Sequence, residues 1–569
     1  MNLSPDFPLA GVLSPLFALR SDHDLGIGDV ESLREFARWA RGYGFRLVQL
    51  LPINETGQDH SPYNAISSVA IDPVTLALSP RELPDLSEED YEATLAEVDL
   101  KELRSGPVKY HLVKPLKRRL LEKAFNGFWQ RHGTRSRSRR GTAFREWLEE
   151  QRSWIGSYSL FRALMDENQG SEQWDRWPEE QQTLERAEKW LASQPRMYRQ
   201  QFERKRRFFE YVQWIAFSQW QALKMECEAL GVALMGDVPI GVSYYGADVF
   251  AHPEIFNLKW SGGAPPERVF KSDPFTEKWG QNWGVPMYRW DQLEATNFVW
   301  WRDRVRRVRS MFHLFRIDHV LGFYRMYGFP WRPEQNAHFL PLSEEEASRE
   351  TGGDLPHFIP RDDSTWENRE ANREAGERYL RALLEEVGEH RLIGEDLGVV
   401  PDYVRPSLHS LGIAGFRIPQ WERGEHWHLV SGRHYDRLSV ATYATHDHPP
   451  LAVFWRQMSD AAAAGDGHQR WELEQFAGFA GLHITGPHPF TQEVHEALLR
   501  ALFESNSWLA IVMITDLFGS EQRFNVPGAV ADTNWCERLA QSPRQWEADP
   551  GVREWMNRVA ALIRESRRA

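Results

Sequence analysis

Short apolar runs that end in polar or charged residues recur along the chain and suggest its architecture. Eight such runs occur, and amphipathic stretches with helical spacing, such as residues 29–44 and 401–412, lie between several of them. Alternation of buried strands with helices is typical of parallel α/β proteins. Eight such units predict an α/β fold, a (β/α)8 TIM barrel with inserted, mainly helical subdomains. The runs are GVLSPL near residue 11, RLVQLLP near 46, GVALMGD near 231, MFHLFRID near 311, HRLIGED near 390, GIAGFRI near 412, LSVATYATHD near 438 and LAIVMITD near 509.

One long segment, residues 84–220, breaks this rhythm. It carries charged helical patterns without a convincing strand, which indicates a helical subdomain inserted into the barrel. The barrel would then comprise residues 1–83 and 221–569, with a Pro-, Glu-, Asp- and Asn-rich loop insertion near 331–375 over its mouth. The basic segment RHGTRSRSRRG at 131–141 is interpreted as a solvated connection between helices, with an anion site as the alternative.

Composition and charge narrow the classes of partner. The 569 residues include 26% charged and 41% hydrophobic residues, which is typical of a soluble globular protein. The formal net charge of −13 disfavours nucleic acid and anionic membrane surfaces as partners and fits a neutral substrate better. No uninterrupted apolar run approaches the roughly twenty residues needed to span a bilayer. The 25 tryptophans are compatible with sugar stacking or with ordinary packing.

Two features favour a cytoplasmic location. Only two cysteines occur, Cys227 and Cys536, and they lie far apart without metal-ligand spacing. The N-terminal apolar stretch has no basic residues before it and is interrupted by prolines, which is unlike a signal peptide. The sequence does not indicate an oligomeric state.

Acidic residues end four of the apolar runs. Because the chemistry of TIM barrels takes place at the carboxyl ends of the strands, these side chains are expected to converge. Two converging carboxylates suit glycosidic chemistry, in which one is a nucleophile and the other gives and takes a proton. Any single acid could instead cap a helix or end a strand in a turn, and Asp396 and Asp516 are interpreted in that way. The four acids are Asp237, Asp318, Glu395 and Asp447.

Arg316 gives two of these carboxylates different expected roles. It lies two residues before Asp318 on the same face of a strand, so its positive charge would hold Asp318 ionised, as a nucleophile requires. A less compensated Glu395 could keep a raised pKa and donate a proton. The competing interpretation is a metal site at His446 and His448 of THDH, but no further ligands stand out. The sequence implies neither a metal nor a cofactor.

A series of distinctive segments runs in a specific order through most of the chain. The series is LGIGD at 25–29, VQLLPINETGQDHSPYNAISS from 48, GDVPIGVSYYGADVFAHPEIFNL from 236, GGAPPERVF, WGQNWGVPMYRW, FRIDHVLGF, IGEDLGVVP, LGIAGFRIPQ, YATHD, and RFNVPG with NW at 534–535. Together these segments resemble the 4-α-glucanotransferase family, the amylomaltases or disproportionating enzymes of the α-amylase clan. Two longer stretches that overlap the series, SPLFALRSDHDLGIGD and HVLGFYRMYGFP, look closer to the branch that acts on maltose with a polysaccharide acceptor.

The resemblance implies roles for individual residues. Asp318 would be the nucleophile, Glu395 the general acid/base and Asp447 the stabiliser of the transition state. The other implied positions contact the sugar or neighbour the carboxylates. These are Asp237 near the donor sugar, Arg316 and His446 as polar neighbours of the carboxylates, and the sugar-contacting positions Ser61, Tyr63, Gln281, Trp283 and Asn525.

The function implied by the resemblance is transfer of α-1,4-glucan segments or glucosyl units to a glucan or glucose acceptor by a retaining double displacement. The expected donors are maltose, maltooligosaccharides or a glycogen- or starch-like glucan. Two alternatives remain open at the level of the sequence. One is an α-glucan hydrolase of the same clan, and the other is a catalytically silent barrel that binds glucan.

Overall fold

The computed structural model of the protein describes residues 2–133, 137–266, 273–527 and 533–569. Strands and helices alternate along most of these ranges, and they are numbered here in chain order. The strands are β1 (Leu9–Leu13), β2 (Leu47–Gln49), β3 (Ala233–Pro239), β4 (Phe256–Ala264), β5 (Gln281–Tyr288), β6 (Leu314–Asp318), β7 (Met326–Phe329), β8 (His357–Ile359), β9 (Leu392–Gly394), β10 (Gly415–Arg417), β11 (Ser439–Ala441) and β12 (Leu509–Met513).

Eight of these strands form one parallel sheet that closes into a barrel. Their order in the sheet is β10-β11-β12-β1-β2-β3-β6-β9. The outer strands of this order, β9 and β10, meet through a parallel bridge between Ile393 and Ala414, and Gly394 N donates to Ala414 O at 2.9 Å. The eight strands coincide with the eight apolar runs, so the predicted (β/α)8 barrel is confirmed.

Burial explains why these segments form barrel strands. Every residue of β2, β3 and β12 is buried. Strands covered on both faces have near-continuous apolar sequences without polar alternation. Gly236 in β3 allows one close approach, because a Cβ at this position would lie 2.5 Å from the ring of Phe312.

Helices cover the outside of the barrel. Two of them, α1 and α16, coincide with the amphipathic stretches expected at 29–44 and 401–412. The helices are α1 (Val30–Gly42), α2 (Glu88–Leu95), α3 (Leu100–Arg104), α4 (Tyr110–His132), α5 (Arg139–Glu150), α6 (Ile155–Glu167), α7 (Leu184–Ser193), α8 (Arg196–Leu230), α9 (Ala247–Ala251), α10 (Pro274–Trp279), α11 (Trp290–Ala295), α12 (Val299–Met311), α13 (Asn336–Phe339), α14 (Glu344–Glu350), α15 (Trp366–Val387), α16 (Val404–Ser410), α17 (Leu451–Ala463), α18 (Gly467–Phe479), α19 (Gln492–Phe503), α20 (Ile514–Leu517), α21 (Pro543–Ala548) and α22 (Pro550–Glu565).

The segment between β2 and β3 is helical. Helices α2 to α8 occupy most of it, and α8 continues through residue 220 to Leu230 without a break. A buried lysine in α4 ties this region to the loop after β2: Lys117 Nζ donates to Val74 O at 2.5 Å and to Leu76 O at 2.8 Å. The division at 83/84 and 220/221 stays a prediction.

A second sheet lies beside the barrel. Strands β4, β5, β7 and β8 pair antiparallel in the order β5-β4-β7-β8. The expectation of a loop insertion at 331–375 is wrong in one respect, because α13, α14, β8 and the first turns of α15 occupy much of it. The reason is physical: a small aromatic core with Trp331 and Phe339, stacked at 3.9 Å between ring centroids, holds this segment against β7 and α10.

Three sequence segments discussed above fall partly outside the described residues. These are residues 134–136 of the basic segment 131–141, residues 267–272 of GGAPPERVF and Gly528 of RFNVPG. Within the described ranges, no helix has the length and apolar character required to cross a membrane.

Candidate active site

One arginine at the carboxyl end of β6 joins three of the four acids. Arg316 Nη2 lies 2.7 Å from Asp318 Oδ1, and Arg316 Nη1 lies 2.6 Å from Asp237 Oδ2 on the adjacent strand β3. Arg316 Nη2 is also 4.0 Å from Oε2 of Glu395, which directly follows the other neighbouring strand, β9. Burial lowers the pKa of Arg316, but the surrounding carboxylates outweigh it and raise the pKa well above its usual value. The guanidinium therefore stays charged.

Glu395 is the most enclosed of the three proposed catalytic acids, with 8% of the residue exposed. The backbone N–H of His319 donates to Oε2 at 2.7 Å, and the N–H of Leu397 donates to Oε1 at 3.2 Å. His319 has a left-handed φ of 50°, which ends β6 at this point. Burial raises the pKa of Glu395 to about 8, although Arg316 opposes the shift. A carboxyl group with such a pKa can donate a proton near neutral pH.

Asp447 lies in the loop after β11 and is held by neighbours that favour its charged form. His446 Nε2 is 3.2 Å from Asp447 Oδ2, and Asn525 Nδ2 donates to Asp447 Oδ1 at 2.6 Å. Arg523 Nη2 donates to the backbone oxygen of Asp447 at 2.9 Å. Burial raises the pKa of Asp447, but His446 and Asn525 outweigh it and lower the pKa below its usual range. The side chain of Asp447 is therefore an anion.

Tyr63 contacts both Asp237 and the histidine that precedes Asp447, and so links these two acids. Its hydroxyl donates to Asp237 Oδ2 at 2.7 Å, and its ring stacks on His446 with centroids 4.9 Å apart and 12° between planes. Burial raises the pKa of Asp237, while Arg316 opposes this. Asp237 Oδ1 is buried and has no hydrogen-bond partner within the described residues.

The remaining expected positions lie around this group. Trp283 on β5 places its ring against His319, with centroids 4.8 Å apart, and its indole N–H donates to Gln281 Oε1 at 3.1 Å. Trp283 is 39% exposed. Ser61 Oγ accepts from the backbone N–H of Tyr63 at 3.3 Å, so its hydroxyl shapes the loop that carries Tyr63. The structure thus brings most of the expected residues together, with Ser61 in a loop-forming contact.

Three groups at the site were not assigned by sequence reasoning. His319 acts through its backbone N–H, Arg523 through a contact to the backbone of Asp447, and Trp535 through its ring, 5.8 Å from the ring centroids of both Tyr63 and His446. The NW at 534–535 belongs to the ordered series of segments, which is the signal that could have identified Trp535. His319 and Arg523 also lie in segments of that series, FRIDHVLGF and RFNVPG, but contacts that involve the backbone cannot be inferred from the residue type.

The competing metal interpretation involves His446 and His448. His446 contacts Asp447 as described, and His448 Nδ1 lies 3.0 Å from the backbone N of Thr445. Burial lowers the pKa of His448 to about 4, so its ring is neutral near pH 7. Among the described residues, no group of three or more His, Cys, Asp or Glu side chains is arranged to hold a metal ion.

Comparison with solved structures supports the barrel architecture. The amylomaltase from Streptococcus agalactiae in complex with acarbose superposes with a TM-score of 0.75 at 22% identity, over 98% of this chain and 99% of that one. The amylomaltase from Corynebacterium glutamicum gives a TM-score of 0.74 at 21% identity, over 98% of this chain and 75% of that one. At these identities the likeness establishes a shared fold.

Sequence comparison identifies the family. A family model described as 4-alpha-glucanotransferase matches residues 14–542. The 4-alpha-glucanotransferase of Chlamydia pneumoniae is 30% identical over 559 residues, which cover 94% of this chain and 92% of that protein. The 4-alpha-glucanotransferase of Thermus thermophilus is 29% identical over 559 residues, covering 95% and 96%. The chain therefore belongs to the 4-alpha-glucanotransferase family.

Proposed function

We propose that this protein transfers α-1,4-glucan segments or glucosyl units from maltose or maltooligosaccharides to a glucan or glucose acceptor by a retaining double displacement. Membership of the family supports transfer of glucan over hydrolysis. It also supports an enzyme over a catalytically silent barrel that only binds glucan. Glucans are accordingly its substrate class. The cytoplasmic location expected from the sequence is part of this proposal.

One observation carries the mechanism: Arg316 reaches two carboxylates in different environments. Asp318 pairs with Arg316 at 2.7 Å and has 27% of its side chain exposed at the barrel mouth. Glu395 is farther from the same nitrogen, at 4.0 Å, and burial raises its pKa to about 8. Two carboxyl groups whose environments differ in this way are the pair expected for a nucleophile and an acid/base.

In the first step, Asp318 attacks the anomeric carbon of the donor. The glycosidic C–O bond breaks, Glu395 gives its proton to the leaving oxygen, and a covalent glucosyl-enzyme ester forms at Asp318. In the second step, Glu395 takes the proton of an acceptor hydroxyl while that oxygen displaces Asp318 from the anomeric carbon. Two inversions retain the α configuration.

Asp447 and its neighbours stabilise the charge that develops in the transition state of each step. The transition state carries positive charge on the sugar ring, and a fixed anion next to the ring lowers its energy. His446 and Asn525 hold the Asp447 carboxylate in place through the contacts described above. Asp237 is assigned to the donor sugar, and Tyr63, which donates to Asp237 and stacks on His446, is assigned to a sugar contact. Gln281, Trp283 and Ser61 remain assigned to sugar contacts at the mouth.

The proposal is tested by chromatography of incubations with maltose or maltotriose, with and without glycogen. Glucose together with oligosaccharides longer than the donor is expected, because transfer lengthens one molecule while it shortens another. Dependence of maltose use on glycogen would place the enzyme with those that use a polysaccharide acceptor. Shortened products alone would mean hydrolysis and would contradict the proposal.

Two variants test the assigned roles. Asp318→Asn and Glu395→Gln remove the nucleophile and the proton donor with little change of shape, so turnover should fall by at least about 10³-fold in each. Circular dichroism and thermal unfolding should match the wild type. Near-normal turnover in either variant would overturn the assignment of that residue.

A further inference from the structure

Three of the helices between β2 and β3 contact one loop at the mouth of the barrel. This loop comprises residues 54–71, follows β2 and carries Tyr63. An antiparallel bridge between Thr56 and Ala65 holds its two arms together. The position of this loop therefore determines where Tyr63 lies relative to Asp237.

The base of the 54–71 loop is bound to helices α6 and α8. The side-chain amide of Gln213, in α8, accepts from the N–H of Ile71 at 2.8 Å and donates to its oxygen at 2.9 Å. In the other arm, Glu55 Oε2 accepts from the hydroxyl of Tyr158 at 2.5 Å, and Glu55 Oε1 lies 3.1 Å from Arg162 Nη2, with both partners in α6. Glu55 is 6% exposed, and a buried carboxylate requires such partners. The base of the loop thus depends on these helices.

Helix α4 contacts the far part of the same loop. Lys114 Nζ donates to the backbone oxygen of Gly57 at 2.8 Å. One turn earlier on the same face of the helix, Tyr110 stacks on His60, with ring centroids 4.0 Å apart and 15° between planes. His60 lies three residues before Tyr63. Two side chains of α4 therefore hold the part of the loop that leads into Tyr63.

The same helix also contacts the segment on the other side of Tyr63. The hydroxyl of Tyr110 donates to the backbone oxygen of Trp535 at 2.7 Å. The ring of Trp535 lies 5.8 Å from the ring centroids of both Tyr63 and His446. Helix α4 thus supports two segments that border Tyr63.

We propose that these helices serve the reaction by holding the 54–71 loop, and that Lys114 is a positioning residue that keeps Tyr63 in place for its contact with the sugar. This inference rests on the proposed function. Lys114 contacts the backbone of the loop, so its effect reaches the sugar through Tyr63. Misplacement by about 1 Å, caused by a change far from the reacting atoms, can cost roughly 100-fold in rate.

The first test measures kcat/KM for maltotriose disproportionation, per folded molecule. Lys114→Met keeps the apolar stem and removes the donor to Gly57, so kcat/KM should fall about tenfold through a displaced loop. Lys114→Arg keeps a donor and should restore most of the loss. Lys123→Met is the matched control, because Lys123 lies on the same helix but pairs with Asp90, at 3.0 Å. Its kcat/KM should equal that of the wild type.

A double-mutant cycle with Tyr63→Ala distinguishes positioning from a general loss of stability. Once the side chain of Tyr63 is absent, Lys114→Met should change kcat/KM by less than about twofold, because the group that Lys114 positions is no longer there. Thermal unfolding of the four proteins measures stability separately.

Two results would overturn the inference while wild-type transfer persists. One is a wild-type value of kcat/KM in Lys114→Met. The other is an equal loss from Lys114→Met with and without Tyr63, which would mean that Lys114 does not act through this tyrosine. Absence of lengthened products from the wild type would instead contradict the proposed function.

Discussion

At the scale of single residues, burial distinguishes the two carboxylates that Arg316 links. Glu395 is enclosed and its pKa is raised to about 8, whereas Asp318 makes the closer ion pair at the barrel mouth. An ion pair favours an anion, and desolvation favours a protonated acid. The same arginine can therefore serve a nucleophile and a proton donor on neighbouring strands.

The raised pKa of Glu395 predicts the alkaline side of the pH profile. Glu395 is protonated below about pH 8 and loses its proton above it, so kcat/KM for maltotriose should decline as the pH rises through about 8. A maltosyl fluoride donor has a leaving group that needs no proton. Its rate of glycosyl-enzyme formation, followed by fluoride release, should therefore lack this decline.

The same experiment can contradict the assignment. A decline of equal size and position for both donors would mean that a group other than the proton donor titrates there. Asp318→Asn is the control, because without a nucleophile this variant should release no fluoride at any pH.

Residue roles at this site were predictable to different degrees. Arg316, Asp318 and Glu395 could be found because each ends, or nearly ends, an apolar run on a barrel strand. His319 could not, because its contribution is a backbone N–H turned by a left-handed φ. The contact between Tyr63 and His446 joins residues 383 positions apart, a relation that appears only in the fold.

At the scale of elements, a buried acid links α20 to the start of α17, the helix that follows the catalytic loop. Asp516, in α20 after β12, accepts the N–H of Leu451 at 2.7 Å, and Leu451 begins α17 four residues after Asp447. Asp516 is 1% exposed, and burial raises its pKa to about 7. The sequence interpretation of Asp516 as a structural cap agrees with this contact.

The pKa of Asp516 predicts how stability depends on pH. Because the pKa in the fold lies above its ordinary value of 3.8, the stabilising effect of the protonated form is fully present below about 3.8 and is lost as the pH rises through about 7. Asp516→Asn keeps an acceptor for Leu451 and cannot ionise. Relative to the wild type, its free energy of unfolding should therefore increase between pH 4 and pH 8, by about 2–4 kcal/mol.

Urea denaturation of both proteins at pH 4, 6 and 8 measures this difference. Asp516→Ala serves as the comparison, because it leaves the N–H of Leu451 unpaired and should cost about 1–3 kcal/mol even where the wild-type acid is protonated. A constant difference between Asp516→Asn and the wild type at all three pH values would show that ionisation of Asp516 does not oppose folding.

The elements were predictable where local sequence determines them. Barrel strands such as β12 are continuous apolar runs, and their burial on both faces imposes that pattern. The antiparallel sheet was missed because β4 (FNLKWSGGA) and β5 (QNWGVPMY) contain glycines and polar residues, and their pairing includes register shifts. These strands are stabilised by pairing with each other, which periodicity along one segment cannot reveal.

At the scale of the whole molecule, a buried arginine fastens the end of the barrel opposite the active site. Arg568 is 1% exposed and donates to five backbone oxygens. Its nitrogens reach the first residue of β1 and the segment that precedes β12. These acceptors are Phe503 O at 2.6 Å, Leu9 O at 3.3 Å, Trp508 O at 3.1 Å, Ser505 O at 2.5 Å and Ser507 O at 2.7 Å.

This position predicts a change in stability without a change in chemistry. Arg568→Ala leaves several buried carbonyl groups without donors, so it should lower the free energy of unfolding by at least about 2 kcal/mol. Transfer activity per folded molecule should stay at the wild-type value, because the catalytic acids lie at the carboxyl ends of the strands. Urea denaturation and maltotriose disproportionation at a temperature well below unfolding measure the two quantities separately.

The adjacent residue provides the control. Arg567 is exposed, so Arg567→Ala removes the same charge from the same turn without uncovering buried carbonyls. Its stability should stay within about 0.5 kcal/mol of the wild type. Equal effects of the two substitutions would mean that net charge, and not the buried hydrogen bonds, accounts for the loss. Reduced activity in folded Arg568→Ala would mean that the barrel transmits a change at one end to the acids at the other.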